Sequence, residues 1–280
     1  MIGLRLVLAS MGASLRRPRP EGVLGALVLV LVLGIAAAAP WSGYPVGADV
    51  DPASRGLPPS LAHPLGTDHL GRDVFWRALL ASRAFAAPGL LACAVAGSVG
   101  VSLGALAGWN GGVTAALIRF LLGSIASVPR LVLVLLVCTV YGSGPLQLSL
   151  AAGVAGVPPL AEIVFARIEQ LKSAEFVLAS RAHGVPLPRL LLAHLVGAAC
   201  GRSIARQLLA TFGSFVVLEC TLSYLGGLGV REPMPSWGNM LIFDWGRGAG
   251  ASFLAPAAAI WLTVVATSAA GRLFAERGDA

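Results

Sequence analysis

The chain is poor in charged residues. Only 12% of its 280 residues are Asp, Glu, Lys or Arg, whereas 56% are hydrophobic and the mean hydropathy is +0.82. Soluble chains are usually about one quarter charged, so this composition excludes an ordinary soluble domain. The formal net charge of +7 does not indicate a nucleic-acid-binding protein, because the basic residues concentrate beside apolar runs instead of on one soluble face. We therefore predict a polytopic membrane protein.

Lysine and cysteine are also scarce, and each scarcity excludes a class of site. The single lysine, Lys172, follows Leu171 and not a glycine. A Walker-type P-loop requires G-x-x-x-x-G-K-[ST], so the chain has no P-loop of its own. The cysteines lie in or beside apolar runs without C-x-x-C spacing, and we interpret them as buried, inert thiols instead of metal ligands or disulfide partners. They are Cys93, Cys138, Cys200 and Cys220.

Long apolar segments predict an all-α membrane helix bundle of about six transmembrane helices. The first, 22–40, would span roughly 28 Å as a helix, close to the ~30 Å hydrocarbon core of a bilayer. A cleaved signal peptide is the alternative, but this apolar segment is longer than the usual ~7–15-residue signal core. The other expected spans are 84–108 and 113–141, both uninterrupted or nearly uninterrupted, and 146–165, 203–225 and 249–271.

The distribution of arginine predicts how these spans are oriented. The N-terminal tail and the polar island 167–206 are dense in Arg and Lys, whereas the loops near residue 143 and at 226–248 are sparse or balanced. The positive-inside tendency places both termini and the island in the cytoplasm. The segments 41–83 and 226–248 then face outside; the first contains four arginines, but longer loops can translocate despite their charge.

The polar island predicts a helical elbow between two spans. Residues 173–183 have helix-forming character, and Gly184 suits the left-handed position that ends a helix. Pro186 cannot continue that helix, but Pro188 is tolerated as the first residue of the next. We interpret the region as two short helices meeting at a tight turn, and a compact charged elbow of this kind as a docking device.

Charged residues inside the expected spans allow two interpretations each. Arg130 follows Pro129 in the middle of the third expected span, where insertion scales give a cost of about 2.5–3.5 kcal/mol. It is either a cation that lines a transport pathway or a snorkelling or ion-paired structural residue. Glu219, toward the outer end of the fifth span, either lines a gate or bonds to a neighbouring helix. We interpret Arg119 and Glu162, near the cytoplasmic ends of their helices, as snorkelling residues.

Two further patterns concern packing and metal binding. Gly100, Gly104 and Gly108 line one helical face, which predicts close packing in a bundle or at a subunit interface. The segment 63–73 offers candidate metal ligands, but their spacing matches no helical or finger pattern. We favour a turn-rich cap that leads into an interfacial helix over 72–85. The candidate ligands are His63, Asp68, His69 and Asp73.

Three stretches in order resemble one family, the inner-membrane permease subunits of binding-protein-dependent ABC importers. More narrowly, the chain resembles the C-type subunit of the dipeptide/oligopeptide/nickel class. The stretch 63–73 resembles the signature that follows the first span, and 222–229 with 233–240 resembles the outer loop after span five. The signature residues that would shape the external segment, meeting the partner permease or binding protein, are Gly66, Thr67, Asp68, Gly71, Arg72 and Asp73.

The island resembles the cytoplasmic coupling loop of these permeases. The chain departs from the family pattern at Leu178, where the loop has a glutamate, at Val196-Gly197, where it closes with Leu-Pro, and at Glu162, where an arginine ends a motif in span four. These departures concern the detailed coupling contacts and not the fold. The resemblance assigns contact with the ATPase to Glu175, Ala179, Ser180, Arg181, Gly184 and Arg189.

The resemblance implies the type I ABC importer permease fold. It also implies a division of the chain into segments and a set of partner proteins. Residues 1–83 would hold the N-terminal tail, first span and external segment; 84–272 the permease core with the coupling loop at 167–202; and 273–280 a cytoplasmic tail. Partners would be a second homologous permease, ATPase subunits that bind ATP and Mg²⁺, and an extracytoplasmic binding protein. The chain itself would be a non-enzymatic, multi-pass subunit of the bacterial inner membrane without a cofactor or a metal.

The resemblance leaves the cargo open. Short peptides are the expected cargo, and nickel or another small solute is the alternative within the same architecture. A standalone secondary transporter or channel is the alternative from another class, but it should show inverted repeats, and we find none in the sequence. An intramembrane enzyme would require paired catalytic groups at helical spacing inside spans, and the sequence shows none.

Overall fold

The computed structural model describes residues 20–47, 49–225, 228–244 and 250–274, and these ranges are built from helices joined by loops. Short 3₁₀ turns occur at Ala39–Trp41, Pro52–Ser54 and Arg272–Phe274, and the segment Leu190–Cys200 is a π-helix. The α-helices are α1 (Pro20–Ala38), α2 (Val74–Leu80), α3 (Arg83–Asn110), α4 (Gly112–Ala126), α5 (Arg130–Tyr141), α6 (Pro145–Leu171), α7 (Glu175–Ala182), α8 (Leu187–Arg189), α9 (Gly201–Tyr224), α10 (Trp237–Asp244) and α11 (Ala251–Gly271).

The predicted all-α membrane bundle is confirmed. Among the described residues, five helical stretches are long and apolar enough to cross a bilayer, and a bent helix pair makes a sixth. The five are Pro20–Trp41, Val74–Asn110, Pro145–Leu171, Leu195–Tyr224 and Ala251–Phe274. The interfacial helix expected over 72–85 is shorter, since α2 ends at Leu80 and α3 begins at Arg83.

The third span, predicted to be uninterrupted or nearly uninterrupted over 113–141, is sharply bent. The helices α4 and α5 meet at an angle of 81°, with Pro129 between them in an extended conformation at φ −52° and ψ 130°. Proline lacks a backbone N–H and disfavours the helical conformation of the preceding residue, here Val128, so the helix ends before it. Arg130 therefore begins α5 and does not lie in the middle of a helix.

The helices α3 and α6 pack with their backbones in close contact. A Cβ atom added at Gly104 would lie 2.4 Å from the carbonyl oxygen of Ala161. A Cβ added at Gly100 or Gly108 would lie 3.1 or 2.9 Å from a carbonyl oxygen of α6. Small residues on one face let two helices approach in this way, so the glycine face contacts another helix of the same chain.

The helix α3 is about 42 Å long, and its beginning and its end mark the two ends of the bundle. At its beginning lie the loop 49–73, which we call the cap, and a core cluster that contains Phe85, Phe215 and Trp237. At its end lies the segment 175–189, which we call the elbow. The helix α11 returns from the cap end to the elbow end and packs along α1, where Gly25 contacts the backbone of Ala266.

We predict that Gly104→Ala destabilises the protein, whereas Gly97→Ala on the same helix does not. At Gly104 the new methyl would overlap a backbone oxygen, and overpacking costs about 1–3 kcal/mol. At Gly97 the new methyl would contact only the Leu208 side chain, at 3.5 Å. Thermal unfolding of the two purified variants in detergent measures the difference. Equal unfolding temperatures would contradict the close approach of α3 and α6.

Candidate functional site at the two ends of the bundle

Hydrogen bonds at Gly184 end the first helix of the elbow. The N–H of Gly184 donates to the carbonyl of Arg181 at 3.0 Å, and the N–H of Val185 donates to the carbonyl of Ser180 at 3.0 Å. Together with φ +74° at Gly184, these bonds form a Schellman motif. The left-handed conformation expected from the sequence is therefore present, and it ends α7.

One side of the elbow is fixed to the bundle. The side chain of Val177 is fully buried in a cluster with Ile168 of α6 and Leu190 of the π-helix. The guanidinium of Arg181 lies 5.8 Å from the ring centroid of Trp109, near the end of α3. These contacts connect the elbow to the ends of both α3 and α6. A displacement of the elbow would therefore be transmitted to both helices.

The other side of the elbow is exposed. The hydroxyl of Ser180 donates a hydrogen bond within α7, to the carbonyl of Phe176 at 2.7 Å. Apolar side chains beside charged ones form a surface that a protein partner can cover. The exposed residues include Glu175, Phe176, Leu178, Ala179, Gly184, Leu187 and Arg189. Arg181 is also exposed, although its guanidinium lies beside Trp109.

The second half of the elbow differs from the prediction of two short helices. Its second helix, α8, has one turn, with Pro186 at its N-cap and Pro188 as its second residue, not its first. The chain then continues as the π-helix and enters α9 without an intervening loop. Prolines are confined to the start of this stretch, where a helix tolerates them, so nothing in the sequence interrupts the helix between the elbow and the fifth span.

The cap is organised around Asp68 and Thr67. The Asp68 carboxylate accepts hydrogen bonds from the backbone N–H of Leu70 at 2.8 Å and of Arg72 at 3.0 Å, and from Arg72 Nε at 2.6 Å. Thr67 Oγ1 accepts from the N–H of Leu57 at 2.8 Å. All three polar side chains of this group, Thr67, Asp68 and Arg72, are buried, so the loop is a compact folded unit.

Gly71 and Asp73 complete the cap. Gly71 has φ +83°, and a Cβ there would lie 1.8 Å from the carbonyl oxygen of Asp51, so only glycine fits. Asp73 Oδ1 caps α2 by accepting from the N–H of Trp76 at 3.1 Å, and its other carboxylate oxygen lies 2.8 Å from His63 Nδ1. Gly66 lies in the same loop, and its carbonyl accepts a hydrogen bond from the backbone N–H of Val74.

Two buried arginines join the cap to the loop that follows α9. Arg72 Nη1 donates to Glu232 Oε2 at 2.6 Å, and Arg77 Nη2 donates to the same oxygen at 3.1 Å. Arg77 also contacts Asp49 at 3.2 Å. Burial acts to lower the pKa of Arg72, but the carboxylates of Asp68 and Glu232 outweigh it and raise that pKa above its ordinary value.

Sequence reasoning missed Arg77 and Glu232. Arg77 lies on an apolar helix of only seven residues, and an arginine there requires a buried acidic partner. This need for an acidic partner could have identified Arg77 from the sequence as a residue with a structural role. The sequence does not identify Glu232 as the partner, because 155 residues separate the two.

The candidate metal ligands are engaged with one another and with arginine. Asp68 binds Arg72, and Asp73 binds His63 and the N-terminus of α2. Within the described ranges no group of three or more His, Cys, Asp or Glu side chains is placed to hold a metal ion. These carboxylates serve as caps and ion-pair partners of the turn-rich loop.

Arg130 and Glu219 have different surroundings. Arg130 is partly exposed at the start of α5. Glu219 is fully buried in α9, where the hydroxyl of Ser223 donates to its Oε1 at 2.6 Å. The same hydroxyl oxygen accepts from the N–H of Val230 at 2.9 Å, so Glu219 connects α9 to the loop that follows it.

Arg119 and Glu162 form an ion pair with each other. Arg119 Nη2 lies 3.1 Å from Glu162 Oε1, and the guanidinium lies 4.9 Å from the ring centroid of Phe165. Both side chains are about half exposed, at 53% and 52%. Glu162 lies nine residues before the end of α6, or about 13 Å along the helix.

Comparison with known proteins gives consistent matches. Residues 100–278 match the model of the binding-protein-dependent transport system inner membrane component. The oligopeptide transport system permease protein OppC of Bacillus subtilis is 34% identical, over 80% of this chain and 73% of its own length. The glutathione transport system permease protein GsiD of Pectobacterium atrosepticum is 32% identical, over 88% and 82%. The probable D,D-dipeptide transport system permease protein DdpC of Escherichia coli is 30% identical, over 79% and 74%.

We predict that Arg77→Met destabilises the cap far more than Arg83→Gln. Removing Arg77 leaves the carboxylate of Asp49, which is 3% exposed, without its ion-pair partner, whereas Glu232 keeps Arg72. Removal of one partner of a buried ion pair costs about 3–5 kcal/mol. Arg83 is exposed and lies six residues later, so it controls for loss of an arginine. Limited proteolysis of the cap and the loop after α9 provides the measurement. Identical cleavage of both variants would contradict the joining role of Arg77.

Proposed function

The chain belongs to the family of binding-protein-dependent transport system inner membrane components, and from this membership we propose that it forms half of the pore of an ATP-driven importer of di- and oligopeptides. It is a multi-pass permease subunit of the inner membrane and not an enzyme. A second permease would supply the other half of the pore. ATPase subunits would bind and hydrolyse ATP with Mg²⁺, and a binding protein would deliver the cargo.

The two-sided elbow is the observation that supports this function most directly. Its exposed side offers apolar and charged groups to an ATPase subunit, and its buried side contacts α3 and α6. Closure of the ATPase pair would displace the elbow and favour one of two packings of the attached spans. A nucleotide state can act only through contacts that differ between the two packings, and the contacts of Val177 and Arg181 with the bundle would be the ones that change.

We propose that the elbow end faces the cytoplasm and the cap end faces outward, with both termini cytoplasmic. The density of arginine and lysine in 167–206 supports this orientation. The cap would then present a preformed surface to the binding protein or partner permease. Ion pairs from Arg72 and Arg77 to Glu232 would let both outer loops respond to that contact together.

Peptide cargo is supported by the names of the relatives, which refer to oligopeptide, D,D-dipeptide and glutathione transport. Nickel or another small solute would use the same architecture and serves as the comparison in a transport assay. Arg130 would line the pathway, since its partly exposed position at the bend between α4 and α5 leaves its charge available. Glu219 would instead hold the loop after α9 through Ser223.

We predict that Gly184→Val uncouples the importer, whereas Gly43→Val leaves coupling intact. Both glycines have positive φ, +74° and +67°, with no atom within 4 Å of a new Cβ. The backbone strain, roughly 1–2 kcal/mol per residue, is therefore matched. Only Gly184 lies in the elbow. Peptide uptake and stimulated ATP hydrolysis by the reconstituted complex measure coupling.

For Gly184→Val we expect at least a tenfold loss of uptake per ATP hydrolysed, with normal assembly of the complex. The purified chain without its partners should hydrolyse no ATP. Equal coupling in the two variants would contradict a role of the elbow in coupling. ATP hydrolysis by the isolated chain would contradict the assignment of this activity to separate ATPase subunits.

We also predict that Arg130→Leu slows peptide uptake while assembly stays unchanged, and that Arg130→Lys retains most uptake. Lysine keeps the positive charge but not the guanidinium fork, so the pair of variants separates charge from shape. Initial uptake rates at saturating binding protein are the measurement. A wild-type rate for Arg130→Leu would assign Arg130 a structural role.

A further inference from the structure

The Arg119–Glu162 ion pair lies on the exposed surface where α4 and α6 meet, which we call the groove. Three residues that share the face of Arg119 on α4 are small and exposed, namely Gly112, Ala116 and Gly123. A Cβ added at Gly123 would find no atom within 4 Å. On α6 the matching face carries Glu162 and exposed Ala166. The pair is therefore bordered by small residues and by open space.

The large apolar side chains of α4 lie on a different face. Leu117, Phe120 and Leu121 are 58%, 71% and 54% exposed, and their helical positions place them about 100° to 160° from Arg119. That face suits contact with lipid, whereas a half-exposed ion pair does not. Ionisable residues inside membrane spans face a bundle interior or a water-filled cavity.

Both partners of the ion pair keep unused bonding capacity. A guanidinium has five N–H donors, and the bond of Arg119 within the described chain is a single one to Glu162 Oε1. The second oxygen of Glu162 remains available beside it. The pair thus offers, at one place, donors for a carboxylate and an acceptor for an ammonium group.

We propose that Arg119 and Glu162 line the aqueous pathway of the assembled importer and contact the charged ends of a zwitterionic peptide in transit. Arg119 pairs with the free carboxylate of the cargo and Glu162 with its free ammonium. The exposed face of α6 continues with Glu169 and Gln170 toward the elbow end, so the cargo leaves along a polar surface. This inference rests on the proposed function, because it requires a peptide importer.

The first test measures access of water to the groove and needs no cargo. In the reconstituted complex, Ala116→Cys and Leu117→Cys place a thiol at neighbouring, exposed positions on the two faces of α4. We expect a charged methanethiosulfonate reagent to modify Ala116→Cys at least tenfold faster than Leu117→Cys, with the unsubstituted complex as the baseline for native thiols. Equally slow modification would show that lipid or the second permease covers the groove and would overturn the proposal.

The second test compares cargo preference. Uptake of a dipeptide with free ends is divided by uptake of its C-terminal amide, and separately by uptake of its N-acetyl form, for wild type, Arg119→Gln and Glu162→Gln. The same binding protein serves every variant, so its own selectivity cancels when variants are compared. We expect Arg119→Gln to lower the first ratio and Glu162→Gln the second, each about fivefold.

The two tests separate failure of the inference from failure of the proposed function. If the wild-type complex takes up no peptide, the proposed function fails and the thiol test still decides whether the groove is aqueous. If wild type transports but both ratios stay at the wild-type value in the variants, the ion pair has only a structural role and the proposal is overturned. Changed ratios together with fast modification of Ala116→Cys support it.

Discussion

The close approach of α3 and α6 is the constraint on which the rest of the structure depends. Glycines let the two backbones meet where a single methyl at Gly104 would overlap a carbonyl oxygen. Because the helices cannot slide past each other without losing this contact, they form a rigid pair. The cap is attached at one end of the pair and the elbow at the other, so the spacing between the two candidate partner surfaces is set inside the membrane.

The two surfaces are built by different physical means. In the cap, buried ion pairs and backbone hydrogen bonds hold a loop that has little regular secondary structure, and Glu232 is shared between two arginines. In the elbow, a Schellman motif and one buried side chain, Val177, fix a short helix and leave most of its surface open. The cap is accordingly a preformed surface, whereas the elbow is a short helical segment that is fixed on one side and exposed to a partner on the other.

Local chemistry determined which parts could be predicted from sequence. The turn at Gly184 was predictable because glycine followed by Val-Pro ends a helix in one way. The bend at Pro129 was underestimated. The apolar residues on both sides of this proline favoured a single span in our prediction, although proline disrupts the helical backbone. The partnership of Arg77 with Glu232, and that of Arg119 with Glu162, arises from long-range packing, which residue spacing along one chain does not encode.

The absence of an intervening loop between the elbow and α9 has a mechanical consequence. A helix of 24 residues is about 36 Å long, so a tilt of about 10° would carry its far end through about 6 Å, close to one helical turn. Tyr224, at that far end, would then meet neighbours one turn away from its present ones. A modest swing begun at the elbow end is therefore geometrically sufficient to exchange one set of side-chain contacts for another at the far end of the helix.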